Sequence, residues 1–114
     1  MLSTLALFVD CIESFEFLLQ ENRSDLSKTK IKVSLKDNSV LFLREIIITN
    51  VLFDYSYHWQ SESGVLIIRW DNAAHYPDIA TFPHHKHVGE ENRIEPSYEQ
   101  SLQQVLDYIK KQLK

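Results

Sequence analysis

The chain has 114 residues, of which 44% are hydrophobic and 25% charged, and its formal net charge is −4. These values are typical of one soluble globular domain, which we predict to span residues 1–114, and they argue against disorder. The acidic balance disfavours a general nucleic-acid-binding protein, because such proteins usually carry a basic face. The single cysteine, Cys11, excludes a disulfide framework and a thiolate metal site.

The first apolar stretch, residues 3–20, has hydrophobic side chains spaced three and four residues apart. This spacing predicts an amphipathic helix with one buried stripe. Asp10, Glu13 and Glu16 interrupt the stretch. We therefore expect no signal peptide and no membrane-spanning segment. The expected location is the cytoplasm. Residues 21–30 are polar and predict a surface connection.

Two hairpins are predicted in the middle of the chain. In the first, residues 31–35 alternate between apolar and polar side chains, a turn follows at 36–39, and residues 40–49 are apolar enough to be buried on much of both faces. In the second, residues 51–59 and 65–70 are the strands and 61–64 the turn. The sequence leaves the pairing within the second hairpin open. Arg69 lies beside either the tyrosines or the histidine of the preceding strand, depending on the register.

A second helix is predicted near the C-terminus. Ser97 is expected to cap it, with Gln100 as the capping-box partner, and apolar residues recur from Leu102 to Leu113 at helical spacing. The predicted fold class is therefore α+β. We expect a small antiparallel sheet of about four strands, in two hairpins, packed with an N-terminal and a C-terminal helix.

Chemistry is concentrated in residues 69–87, RWDNAAHYPDIATFPHHKH, which contain four of the five histidines. The segment begins at the end of a predicted strand, and Pro77 and Pro83 fix its backbone at two points. Loops that are mounted on a rigid strand end commonly carry function. This segment is therefore the candidate site.

Three interpretations of these histidines remain open. In the first, they are the general acid and base of metal-independent RNA cleavage, because imidazole has a pKa of about 6.5 and the ribose 2′-hydroxyl supplies the nucleophile. In the second, they bind a transition metal together with Asp71 or Asp78, although their spacing matches no strong zinc signature. In the third, their rings satisfy buried polar groups of the fold.

The segment resembles the TumE family, the toxin components of prokaryotic toxin–antitoxin pairs. The resemblance is carried by Arg69-Trp70-Asp71-Asn72-Ala73, by His75 with Pro77, and by Thr81-Phe82-Pro83-His84-His85-Lys86-His87. It extends more loosely to Tyr57-His58 and to the C-terminal helix. The chain departs from the family pattern at Ala74, where a proline is usual, and at Tyr76, where a second histidine is common.

The resemblance implies a toxin that is encoded beside a helix-turn-helix antitoxin. The residue chemistry predicts a ribonuclease that acts on RNA without a metal or cofactor, with His85 and His87 transferring protons. The predicted catalytic residues are His85, His87, His84, His75 and Asp71, and the predicted substrate contacts are Arg69, Lys86, Asn72, His58 and Tyr57. The alternative is a non-enzymatic or zinc-holding module whose histidine segment contacts a partner protein. Membrane association is not expected, and a homo-oligomer is left open.

Overall fold

The computed structural model describes residues 1–113 and contains one antiparallel sheet of seven strands, which follow one another across the sheet in chain order. Each strand therefore pairs with its neighbour in sequence. The elements are Leu2–Ala6 (α1), Ile12–Asn22 (β1), Leu26–Leu35 (β2), Val40–Ile48 (β3), Val51–Gln60 (β4), Leu66–Asp71 (β5), His85–Val88 (β6), Ile94–Pro96 (β7) and Leu102–Gln112 (α2). The prediction of a sheet of about four strands is wrong, because it omits β1, β6 and β7.

The predicted N-terminal helix over residues 3–20 is also wrong, since only Leu2–Ala6 is helical and β1 takes up most of the remainder. The stretch fits both periods, because Phe15 and Phe17 also alternate with polar neighbours, as they would in a strand. Hydrogen bonding to β2 decides in favour of the strand. An irregularity of the register between Phe17 and Leu19 shifts the alternation, which explains why the strand pattern is incomplete in the sequence.

The two predicted hairpins are present as β2–β3 and β4–β5. β2 begins at Leu26, so the predicted surface connection over residues 21–30 shrinks to residues 23–25. Thr49 and Asn50 form the two-residue turn between β3 and β4, and their φ angles are 50° and 64°. Two successive positive φ angles match the twist of a tight hairpin turn.

The end of the predicted histidine loop is a strand. His85–Val88 forms β6 and pairs with β5, and the short strand β7 pairs with β6 beyond it. The sequence of β6, HKHV, shows no alternation of apolar and polar side chains. Pairing with β5, rather than a strand pattern of its own, makes this segment extended, since strand preference depends strongly on context.

One face of the sheet forms the core together with α2. The buried side chains of β2 to β5 pack against one stripe of α2, which comprises Leu102, Val105, Leu106 and Ile109. Leu5 of α1 and Phe8 join the same core. Within residues 1–113, neither helix is long and apolar enough to span a lipid bilayer.

The predicted capping of the C-terminal helix by Ser97 is wrong. α2 begins later, and the side chain of Ser101 caps it by accepting a hydrogen bond from the backbone N–H of Gln104. Ser97 is buried, and its hydroxyl donates a hydrogen bond to the backbone carbonyl of Glu99. The hydroxyl of Ser97 thus stabilises the turn that precedes the helix.

Leu106→Ala is expected to lower the free energy of unfolding by about 2–5 kcal/mol, because the side chain is 0% exposed and its loss leaves a cavity between α2 and the sheet. The same substitution at Leu18, which is 53% exposed on β1, is expected to change this free energy by less than about 0.5 kcal/mol. Urea denaturation followed by circular dichroism measures both effects. Equal losses in the two variants would contradict the position of α2 in the core.

Candidate functional site

The pairing of β5 with β6 brings together the two halves of the segment 69–87. Asp71 lies opposite His85 in the register, and Arg69 lies opposite His87. Side chains two residues apart on a strand share a face, so these four residues project from the same face of the sheet. It is the face opposite α2, and we call these four side chains the polar cluster.

Asp71 is at the centre of the polar cluster. Its Oδ1 lies 3.0 Å from Nε2 of His85 and accepts a hydrogen bond of 3.0 Å from the backbone N–H of Ala73. Its Oδ2 lies 3.4 Å from Nε2 of His87 and 3.4 Å from Nε of Arg69. Asp71 is only 8% exposed. A buried carboxylate needs partners of this kind, because its burial without them costs a large amount of free energy.

Backbone carbonyls fix the orientation of both imidazole rings. Nδ1 of His85 donates a hydrogen bond of 3.1 Å to the carbonyl of Pro83, and Nδ1 of His87 donates one of 2.7 Å to the carbonyl of Glu91. A carbonyl oxygen can only accept, so Nδ1 carries the hydrogen in both rings. In the neutral rings, the lone pair of each Nε2 therefore points towards Asp71.

The connection between β5 and β6 covers the polar cluster. Tyr76 packs edge-on against His85 and His87, with ring centroids 4.8 Å and 6.3 Å away. The exposed His75 contacts the ring of Tyr76. Within the part of the chain that the structure describes, the ring of His75 has no hydrogen-bond partner.

A pocket of about 480 Å³ opens beside the polar cluster. Its charged lining residues are two arginines and three carboxylates: Arg44, Arg69, Asp54, Asp71 and Glu91. With neutral histidines, the lining therefore carries one more negative charge than positive charges. This balance favours a cation over an anion, and the two arginines are the groups that could contact an anion.

Two of the predicted substrate contacts lie on the other face of the sheet. Lys86 lies opposite Trp70 in the register, and its Nζ is 3.3 Å from Oε1 of Glu99. Tyr57 is buried in the core, and its hydroxyl donates a hydrogen bond to Glu45. Burial and the adjacent carboxylate raise the pKa of Tyr57 above its usual value. Neither side chain lines the pocket.

Asn72 and His84 lie next to the polar cluster in sequence but make other contacts. The Asn72 side chain accepts a hydrogen bond of 3.0 Å from the backbone N–H of Tyr55 and donates one of 3.1 Å to the carbonyl of Phe53, so it anchors the connection to β4. Nδ1 of His84 lies 2.7 Å from the hydroxyl of Tyr55. Burial lowers the pKa of His84, and burial raises the pKa of Tyr55.

His58 lies opposite Arg69, which settles the register that the sequence left open. Its Nε2 is 3.1 Å from Oε1 of Gln60. Burial lowers the pKa of His58 and is the largest effect, the hydrogen bond to Gln60 raises it, and the neighbouring charges of Arg69 and Glu91 act in opposite directions. The pKa of His58 is therefore below its ordinary value.

The sequence predictions did not include Arg44, Asp54 and Glu91 among the site residues. Arg44 and Asp54 form an ion pair of 2.7 Å between β3 and β4, and Glu91 contacts Arg69 at 2.6 Å. A charged residue within the apolar run of β3 was an available indication for Arg44. No sequence feature distinguishes Glu91 from the adjacent Glu90.

Comparison with known proteins identifies the family. The family model described as Toxin TumE matches residues 3–113, so the chain belongs to the TumE toxin family. The match covers nearly the whole chain and confirms the resemblance that rests on residues 69–87. Membership of a toxin family implies an antitoxin partner. No curated protein and no solved structure matches the chain.

His58→Gln is expected to make stability less dependent on pH. Because the folded state lowers the pKa of His58, protonation of this ring favours unfolding, and stability that is present above about pH 6.5 is lost as the pH falls towards the lower folded pKa. In the variant, the free energy of unfolding should therefore decrease less steeply between about pH 7 and about pH 5. Urea denaturation across this range measures it.

The matched control is His75→Gln, which removes an exposed histidine. If His58→Gln leaves the pH dependence the same as in the unchanged protein, the lowered pKa of His58 is contradicted.

Proposed function

We propose that this member of the TumE toxin family is paired with a helix-turn-helix antitoxin and cleaves RNA in the pocket beside the polar cluster. The observation that carries the proposal is the convergence of Arg69, Asp71, His85 and His87 on one face of the sheet. The pocket has a volume of about 480 Å³, which is within the usual range for small-ligand sites and is sufficient for a nucleotide.

The proposed reaction uses the 2′-hydroxyl of RNA as the nucleophile. Its oxygen forms a bond to phosphorus while the bond from phosphorus to the 5′-oxygen of the next nucleotide breaks. A base takes the proton of the 2′-hydroxyl, and an acid supplies a proton to the leaving 5′-oxygen. The products are a 2′,3′-cyclic phosphate and a free 5′-hydroxyl.

Arg69 is the proposed phosphate contact. Its guanidinium contacts Glu91 at 2.6 Å, and the Glu91 side chain is 59% exposed, so this partner can exchange for a phosphate oxygen. A guanidinium can donate two parallel hydrogen bonds to phosphate, which positions it as well as attracts it. Arg44 of β3, which also lines the pocket, is a second candidate contact.

His75 is the proposed base that takes the proton of the 2′-hydroxyl, and water supplies the proton to the leaving 5′-oxygen. The ring of His75 is exposed and lines the pocket. By contrast, both nitrogens of His85 and of His87 are engaged, by a backbone carbonyl and by Asp71. The metal-independent scheme in which His85 and His87 move the protons stays a prediction. It requires one of the two rings to break its contact with Asp71.

Arg69→Gln is expected to abolish growth arrest and to slow RNA cleavage by about 100-fold, because the charge gathered on phosphorus loses its counterpart. Lys86→Gln is expected to keep both properties, because Lys86 contacts Glu99 on the opposite face. Growth after expression without the antitoxin, and the fragments formed by purified protein on total RNA, measure these effects.

Circular dichroism should show both variants folded at the temperature of the assay, so that a loss of toxicity is not a loss of folding. If Lys86→Gln is inactive and Arg69→Gln is active, the assignment of the polar face as the site is wrong. Growth arrest with intact RNA would instead support the alternative of a non-enzymatic toxin that acts by binding a partner protein.

A further inference from the structure

We propose that Asp71, His85 and His87 bind one divalent transition-metal ion. The three ligand atoms, one carboxylate oxygen and two Nε2 atoms, all lie within 4.8 Å of one another. The residues are 8%, 2% and 4% exposed, so the ion would be held at the base of the pocket. The inference concerns binding and stands on this geometry, and only the use of the ion in RNA cleavage rests on the proposed function.

The hydrogen positions on the two imidazole rings leave Nε2 free to bind a metal ion. Nδ1 of each histidine donates to a backbone carbonyl, so each neutral ring presents the lone pair of Nε2. Both lone pairs point towards Asp71, which as a carboxylate also offers only lone pairs. Three acceptors directed at one another repel unless a proton or a metal ion lies between them. A metal ion binds all three groups in the state in which the fold presents them.

Two distances between the groups match those found between the ligand atoms of one metal ion. Ligand atoms at about 2.1 Å from one metal ion, separated by angles of about 90–110°, lie roughly 3.0–3.4 Å apart. Oδ1 of Asp71 lies 3.0 Å from Nε2 of His85, and Oδ2 lies 3.4 Å from Nε2 of His87. These two distances are to different oxygens of Asp71, and one ligand atom from each residue lies within 4.8 Å of the other two. Binding of one ion therefore requires the three groups to move closer together.

Each of the three ligands is also oriented by a neighbour. The carbonyls of Pro83 and Glu91 accept from the two imidazole rings, and the backbone N–H of Ala73 donates to the carboxylate of Asp71. Such outer contacts are a regular property of protein metal sites, because they fix the tautomer and the direction of the ligand.

The charge of the pocket favours the same conclusion. With neutral histidines its charged lining has two cations and three carboxylates, which opposes the binding of an RNA phosphate. A divalent ion would reverse the sign of the pocket. Arg69 lies beside the site, but its charge is partly offset by the contact of 2.6 Å with Glu91. A metal ion thus allows the pocket to accept an anionic substrate.

The ligand types select the class of metal. Two imidazoles and one carboxylate suit ions from Mn²⁺ to Zn²⁺, whereas Mg²⁺ and Ca²⁺ prefer oxygen ligands. Three protein ligands leave further coordination positions, and the pocket is the side from which a small molecule or a phosphate oxygen can reach them. The spacing of the histidines in the sequence matches no zinc signature, because the site combines Asp71 of β5 with His85 and His87 of β6.

The experiment uses the full-length chain without a polyhistidine tag. Titration calorimetry with Zn²⁺, Mn²⁺ and Co²⁺, and the visible absorption spectrum of the Co²⁺ form, measure stoichiometry and affinity. We expect one ion per chain and a melting temperature that rises with metal and falls on chelation. His85→Gln and His87→Gln should each weaken binding by about 10-fold or more. The adjacent His84→Gln, whose ring contacts Tyr55 instead, is the matched control and should bind as the unchanged protein does.

The titration of the unchanged protein keeps the proposal testable if a buried variant fails to fold. Absence of saturable binding of all three ions would overturn the proposal, and so would equal affinity in His84→Gln, His85→Gln and His87→Gln. RNA assays with and without chelator separate the two proposals. Stoichiometric metal with intact RNA would retain the metal site and reject the ribonuclease, whereas cleavage by a protein that binds no metal would do the reverse.

Discussion

The pairing of β5 with β6 is the interaction on which the site depends. It places Asp71 opposite His85 and Arg69 opposite His87, and so surrounds one buried carboxylate with two imidazoles and a guanidinium. A carboxylate in this position is tolerated only with such partners, since its charge has lost most of its contact with water. The same contacts that stabilise the buried carboxylate of Asp71 therefore also set the positions of the polar side chains beside the pocket.

Successive residues of β5 point alternately to the core and to the polar cluster. Trp70 lies between Arg69 and Asp71 in the sequence, is fully buried, and donates a hydrogen bond of 3.0 Å to Glu99 on the α2 side. A slip of one residue would exchange the two faces, exposing the indole and burying the charges. The tryptophan thus fixes the register that directs the polar side chains into the pocket, although it does not contact them on that face.

The sequence predicted those parts of the molecule in which side-chain pattern and structure agree. The strands β2 to β5 and the buried stripe of α2 were predicted from their apolar patterns, and the composition of residues 69–87 marked the segment in which the polar cluster lies. β1 was predicted as a helix because its apolar spacing fits both periods, and β6 has no pattern of its own. The direction of each site residue depends on register, so Lys86 and Tyr57 were grouped with residues on the opposite face, while Arg44 was omitted.

The connection between β5 and β6, residues 72–84, is the longest between any two strands of the described chain. The entropy lost on closing a loop grows with its length, so this pairing is the most costly of the consecutive strand pairings to form. The contacts between Asp71 and the two histidines join the ends of that loop, and β7 and α2 follow it in the chain. The contacts of Asp71 with His85 and His87 consequently also help to hold the C-terminal part of the chain against the sheet. A substitution at any of these three residues is therefore expected to affect stability as well as the pocket.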